Sequence, residues 1–132
     1  MALHNLLQLG YGFNIQWAYS TDWMEKPLPA DNRMLDFMQK YQFNFLRIPI
    51  DYRFWLKDIS GEPDESFLKV IDSYVEAAIS HGIHASINLH RAPGYCINGW
   101  EKEKYNLWSD EIALVAFEKI WVNLATRYKG RY

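Results

Sequence analysis

Arg47 and His90 are the residues of this 132-residue chain best suited to chemistry. Each stands in a short apolar run that reads as a strand. The first is Asn44-Phe45-Leu46-Arg47-Ile48-Pro49-Ile50-Asp51; the second is Ile83-His84-Ala85-Ser86-Ile87-Asn88-Leu89-His90, running into Arg91-Ala92-Pro93-Gly94. A guanidinium between Leu46 and Ile48 does not lose its proton and must find an acceptor. It suits holding a catalytic carboxylate ionised, and it equally suits a structural ion pair. His90 suits orienting a hydroxyl or carboxylate, or serving as a satisfied polar group of the fold. Asn14 and Asn88, near strand ends, are donors for a ligand or bridges between strands. No acidic residue is expected at a strand end with a partner. Glu62, Glu65, Glu76, Glu101, Glu103, Glu111 and Glu118 read as solvated charges on loops and helices.

Other chemistries find little support. His84 and His90 stand about 20 Å apart along one strand at ~3.3 Å per residue, too far to share a metal ion. Gly10-Tyr11-Gly12 lies inside a strand and opens no dinucleotide loop. No Gly-x-Ser-x-Gly elbow is present, and Cys96 has no base beside it. As the single cysteine it forms no internal disulfide. The net charge is −2 and basic residues are scattered, so nucleic acid is a poor partner. No apolar run approaches the ~20 residues of a membrane span. Residues 1–7 lack the basic and apolar segments of a signal peptide, which fits a cytoplasmic protein or one whose leader was removed. Aromatics reach 17 %, six of them Trp, which suits either ring-stacking on sugars or a Trp-rich core.

The elements that must position these residues alternate strand and helix. The pattern predicts strands at 9–15, 44–50 and 83–90. Helices are predicted from Asp31 to about Gln42, at 64–81, and after a Ser109 cap, with Gly82 and Gly130 as stops. Leu114, Phe117, Trp121, Leu124, Ala125 and Tyr128 mark the inward face of the last helix. Loops at 16–30, 51–63 and 91–108 join the elements, the last long enough to suggest function. Each crossover is long enough for a parallel βαβ unit. Alternation puts Arg47, Phe45 and Pro49 on one face with His84, Ser86, Asn88 and His90, and with Gly10, Gly12 and Asn14 of the first strand. Such a polar inner face fits an α/β barrel better than a doubly wound sheet, whose strands are apolar on both faces.

Several of these runs resemble glycoside hydrolase family 5, the cellulase family A group. Gly12-Phe13-Asn14 with Trp17 downstream resembles its first strand, and Asn44 through Ile50 its second. Asn88-Leu89-His90 resembles its third, and His90-Arg91-Ala92-Pro93-Gly94 followed by Asn98-Gly99 is similar to the exo-β-glucanase-like branch. Phe117 through Gly130 resembles the helix before strand four. The resemblance implies an α/β fold in which residues 1–132 form about the first three βα units of a partial TIM (β/α)8 barrel, a fold of ~250 residues.

It also implies a retaining two-glutamate hydrolysis of a β-linked glucan or glycoside. The family's acid/base glutamate ends strand four and its nucleophile ends strand seven, so both are expected beyond Tyr132 and the segment alone is expected to be inactive. Arg47 would support the nucleophile, and His90 and Asn14 would grip sugar hydroxyls. Trp17, Trp23, Trp55, Tyr95, Trp100 and Trp108 are candidate stacking platforms. No cofactor is implied. The expected partners are a β-linked oligosaccharide or polysaccharide, and the rest of the barrel or a second copy at the open strand edges. Two alternatives stay open: a non-catalytic carbohydrate-binding or interaction half-barrel, and a barrel enzyme of different chemistry.

Overall fold

In the computed structural model, residues 10–98 and 103–131 are described. Strand β1 (Gly12–Asn14) leads through a long loop to helix α1 (Asn32–Lys40). Strand β2 (Phe45–Asp51) ends in a 3₁₀ turn (Tyr52–Phe54), followed by helix α2 (Glu65–Ser80). Strand β3 (His84–Ala92) turns back into a two-residue strand β4 (Tyr95–Cys96) before helix α3 (Glu111–Arg127). The sheet order is β1-β2-β3-β4; the first three are parallel and β4 is antiparallel to β3.

Local chemistry sets the boundaries. Asp31 and Asp64 cap α1 and α2, each carboxylate accepting from a backbone N–H two residues on. Gly82, at φ +69°, takes the left-handed turn that releases α2 into β3. Gly12 is required for a different reason: a Cβ there would lie 1.6 Å from the Phe45 carbonyl oxygen, so β1 and β2 meet closely at this point.

Strand register confirms the alternation. Asn14, Arg47 and Ser86 form one row, Pro49 and Asn88 another, and Phe13, Leu46 and Ala85 a row of opposite parity. Leu46, Ile48 and Ile50 are fully buried against Leu35 and Met38 of α1, Phe67, Ile71 and Tyr74 of α2, and Ile120 and Leu124 of α3. Among the described residues in and beside β1, Ile15 joins this core, while Tyr11 and Phe13 are exposed.

The last third departs from expectation. Expected to be a single loop at 91–108, the chain instead continues β3 to Ala92 and makes a hairpin at Gly94, where φ is +75° and a Cβ would press on the Leu107 backbone. The cap of α3 is Asp110 rather than Ser109. Its buried face is Ala113, Ala116, Ile120 and Leu124, so Leu114 and Ala125, expected inward, are exposed. The helix is apolar on more than one side, so spacing alone does not select a face. The close seat of Ala113 against Gly94 does.

The loop between β1 and α1 is bound down although it contains no regular element. The buried Tyr74 hydroxyl donates to the Leu28 carbonyl at 2.5 Å, and the Trp17 carbonyl accepts from the Leu28 N–H at 2.7 Å. Ala18 bridges to Ile50 alongside β2. Among the described residues no helix is long and apolar enough to cross a membrane.

Candidate active site

Arg47 projects from β2 onto the inner face of the sheet. Its Nη1 donates to Asn14 Oδ1 at 3.0 Å and its Nη2 to Asn88 Oδ1 at 2.5 Å. The two asparagines thus bridge β1, β2 and β3 through the guanidinium. Among the described residues no carboxylate pairs with Arg47. Both acceptors are neutral amides.

His90 sits at a slip in register. Ile50 pairs with Leu89, but Asp51 pairs with Arg91, leaving His90 as an extra residue on β3. A bulge of this kind re-aims side chains. Here it brings two consecutive residues, His90 and Arg91, to one pocket of about 330 Å³. The pocket is also lined by Tyr19, Asp22, Trp23 and Asn98. The Tyr19 ring lies 4.7 Å from the imidazole and 5.1 Å from Trp23, and its hydroxyl accepts from Asn98 Nδ2 at 3.1 Å. His90 Nε2 is buried with no hydrogen-bond partner among the described residues. A buried polar atom left unpaired costs about 1–3 kcal/mol, so it calls for an explanation. Burial, then the charges of Arg47 and Arg91, hold the His90 pKa below its ordinary value against a weaker opposite pull from Asp51. The ring is therefore kept neutral.

Beneath the pocket lies a charged cluster that the sequence reading did not anticipate. Asp51, at the end of β2, is 0 % exposed and fully partnered, against the expectation that no acidic residue would hold such a place. It accepts from Arg53 Nη2 at 2.7 Å and from the Thr21 backbone N–H at 3.0 Å, and Arg91 Nε lies 3.9 Å away. Arg53 also donates to Asp22 at 2.6 Å. Glu103, read as a solvated charge, has a side chain only 9 % exposed, paired with Arg91 and accepting from the Tyr52 hydroxyl at 2.7 Å. Burial and the Glu103 carboxylate push the Tyr52 hydroxyl pKa up. The signal that was available is Asp51-Tyr52-Arg53 itself, a charged pair around a strand terminus. Nothing in the local sequence ties Glu103 to Arg91.

The candidate platforms separate by burial. Trp17 and Trp55 are core residues, 5 % and 1 % exposed, packed on Tyr74 and Phe67 respectively. Neither offers a ring face to a sugar, which corrects the expectation for both. Trp23 lines the pocket and is 69 % exposed. Tyr95 and Trp108 are exposed and meet edge-on at 6.2 Å, outside the pocket lining. Trp100 lies outside the described residues. Among those described, no three His, Cys, Asp or Glu side chains are grouped to hold a metal.

Parallel strand-helix units with polar groups gathered at the C-terminal strand ends define part of a (β/α)8 barrel. Residues 9–132 match the family model described as Cellulase (glycosyl hydrolase family 5). The chain belongs to that family. It is similar to endoglucanase 1 of Ruminococcus albus, 22 % identical over 108 residues, covering 82 % of this chain and 25 % of the relative. Endoglucanase B of the same organism is 24 % identical and is covered to 24 % of its length. The chain thus spans about a quarter of these curated relatives. Among solved structures it is similar to a glycoside hydrolase with 46 % identity and a TM-score of 0.85, covering 92 % of this chain and 38 % of that one. The Pseudomonas stutzeri endoglucanase Cel5A in complex with cellobiose shares the fold, with a TM-score of 0.74 at 13 % identity, over 91 % of this chain and 36 % of that one.

Proposed function

We propose that residues 1–132 form the N-terminal segment of the catalytic domain of a retaining β-glycosidase acting on a β-linked glucan or glycoside. The observation that carries this reading is Arg47, a guanidinium fixed between two neutral amide oxygens on the inner face of the sheet. A guanidinium has five donors in a rigid fork, and its strongest partners are carboxylates. A glutamate brought against it from a later strand is held ionised by the opposite charge and hydrogen bonding. That carboxylate attacks the anomeric carbon while a second, protonated glutamate gives its proton to the leaving oxygen as the glycosidic bond breaks. Water, losing its proton to the second glutamate, then displaces the first, with the two carboxyl groups ~5–5.5 Å apart.

His90 supports the same reading. Its neutral, buried Nε2 suits a sugar hydroxyl, and Asn14, tied to Arg47 through its oxygen, keeps its amide nitrogen for another. Trp23 is the ring best placed to stack on a sugar. The cellobiose bound by the Pseudomonas stutzeri relative agrees with a β-glucan substrate class. Both glutamates are taken to lie beyond Tyr132, so the segment alone is inactive.

The test is hydrolysis of a chromogenic β-glucoside and a soluble β-glucan by the full-length protein and its Arg47→Lys variant. A point charge does not replace the fork. Turnover should fall roughly 10²-fold, the scale of losing one preorganised electrostatic contact, with little change in melting temperature. Wild-type turnover in the variant overturns the role of Arg47.

A further inference from the structure

Two consecutive residues of a regular strand point to opposite faces. His90 and Arg91 nevertheless line one pocket, because the bulge lets Arg91 take the row of Asp51. The question is what holds the bulge. Among the described residues the His90 ring makes no hydrogen bond through Nε2, and its packing on Tyr19 does not fix the backbone. Arg91 is differently placed. Its side chain is 7 % exposed, it pairs with Glu103, and it lies 3.9 Å from Asp51 and 4.0 Å from Asp22. Return to regular pairing would turn this guanidinium away from the inner face, towards the apolar core, and strip it of those three carboxylates. A buried charge without partners is strongly disfavoured. Glu103 is in turn fixed by the Tyr52 hydroxyl, and Asp51 by Arg53 and the Thr21 N–H.

The geometry points to Arg91 as a positioning residue for His90: its pairing with Glu103 and Asp51 holds the β3 bulge, and the bulge aims the imidazole into the pocket. As far as turnover is concerned, this rests on the glycosidase reading above.

A double-mutant cycle in the full-length protein tests it, with His90→Ala as the second change. In the wild-type background Arg91→Met should lower kcat/KM by roughly tenfold, within the coupling range of contacting groups. In the His90→Ala background it should cost almost nothing, since there is no imidazole left to aim. Equal losses in both backgrounds overturn the proposal. If Arg91→Met does not fold, Glu103→Gln, which keeps the shape of the partner, runs the same cycle and is read in the same way.

A second readout needs no substrate. The charges acting on the imidazole are Arg47, Arg91 and Asp51. Followed by NMR, the His90 ring should titrate at higher pH in Arg91→Met and lose the ring-current shift that Tyr19 imposes. Removal of one positive neighbour with the ring still stacked changes the titration alone, and an unchanged ring-current shift overturns the positioning role. If the wild type hydrolyses no β-glucan, that failure belongs to the proposed activity, and the NMR result still decides the role of Arg91.

Discussion

At His90 the protein holds a titratable group in the form that resists protonation. The unfolded chain takes up this proton more readily than the native one, because burial and two guanidinium groups oppose the imidazolium. Stability from this residue is therefore complete above its ordinary pKa of 6.5 and is lost as the pH falls through the lower folded value. His84, six positions earlier, stacks on Phe45 and stands at the other end of the strand. His90→Ala should weaken binding of an inhibitor sugar, measured by calorimetry on the full-length protein, whereas His84→Ala should mainly lower the melting temperature. Equal affinity in the two variants would contradict the placement. Arg47, Asn14, Asn88 and His90 were legible in the sequence because a strand alternates faces with a fixed period. The company kept by Arg91 was not, since a bulge leaves no periodic trace and Glu103 lies twelve positions away across a hairpin. Composition likewise announced the tryptophans without saying that Trp17 and Trp55 would be spent on the core.

The helices are joined by specific polar contacts as well as by apolar packing. Asp72 of α2 accepts from Arg127 Nε at 2.8 Å and Nη2 at 2.6 Å, and from the Tyr128 hydroxyl at 2.9 Å, all at the end of α3. The Arg127 guanidinium is the main cause holding the Asp72 carboxyl below its ordinary value of 3.8. The native state thus binds this proton less tightly than the unfolded chain. The stabilising contribution is complete above pH 3.8 and disappears as the pH falls through the lower folded value. Both side chains are partly exposed, so Arg127→Ala should cost about 1 kcal/mol or less in urea titrations at neutral pH. That cost should shrink in acid; a cost independent of pH would remove Asp72 from the explanation. The existence and order of all three helices were readable from capping residues and apolar spacing. The face of α3 was not, because contact with Gly94 decides between its apolar sides.

At the scale of the molecule, among the described residues, the β3 edge of the sheet is paired by β4 at the end of the strand, through Arg91 with Cys96 and Ala92 with Tyr95. Unpaired strand edges invite association, and a closed barrel has none. Arg47 and His84 lie half-buried on the inner face of the sheet, and Leu114, Val115 and Val122 leave α3 with a second apolar side, each more than half exposed. Expressed alone, the 132-residue chain should self-associate or aggregate in light scattering and show no β-glucoside hydrolysis. A monodisperse monomer with a sharp thermal transition would contradict the edge argument. Hydrolysis above background would contradict the placing of both carboxylates beyond Tyr132.

The loop fastened by Tyr74 has a consequence for amide exchange. Irregular segments ordinarily trade their backbone hydrogens with solvent in brief local openings. Here the Leu28 N–H is engaged by the Trp17 carbonyl and the Thr21 N–H by the Asp51 carboxylate, while the Ala18 carbonyl accepts from the Asp51 N–H of β2. Releasing any of them disturbs Tyr74 or Asp51, both wholly buried. In the full-length protein the Leu28 and Thr21 amides should therefore exchange at rates close to those of β2, as members of the same cooperative unit. A part of the chain with the outline of a coil would then carry the opening free energy of a central strand.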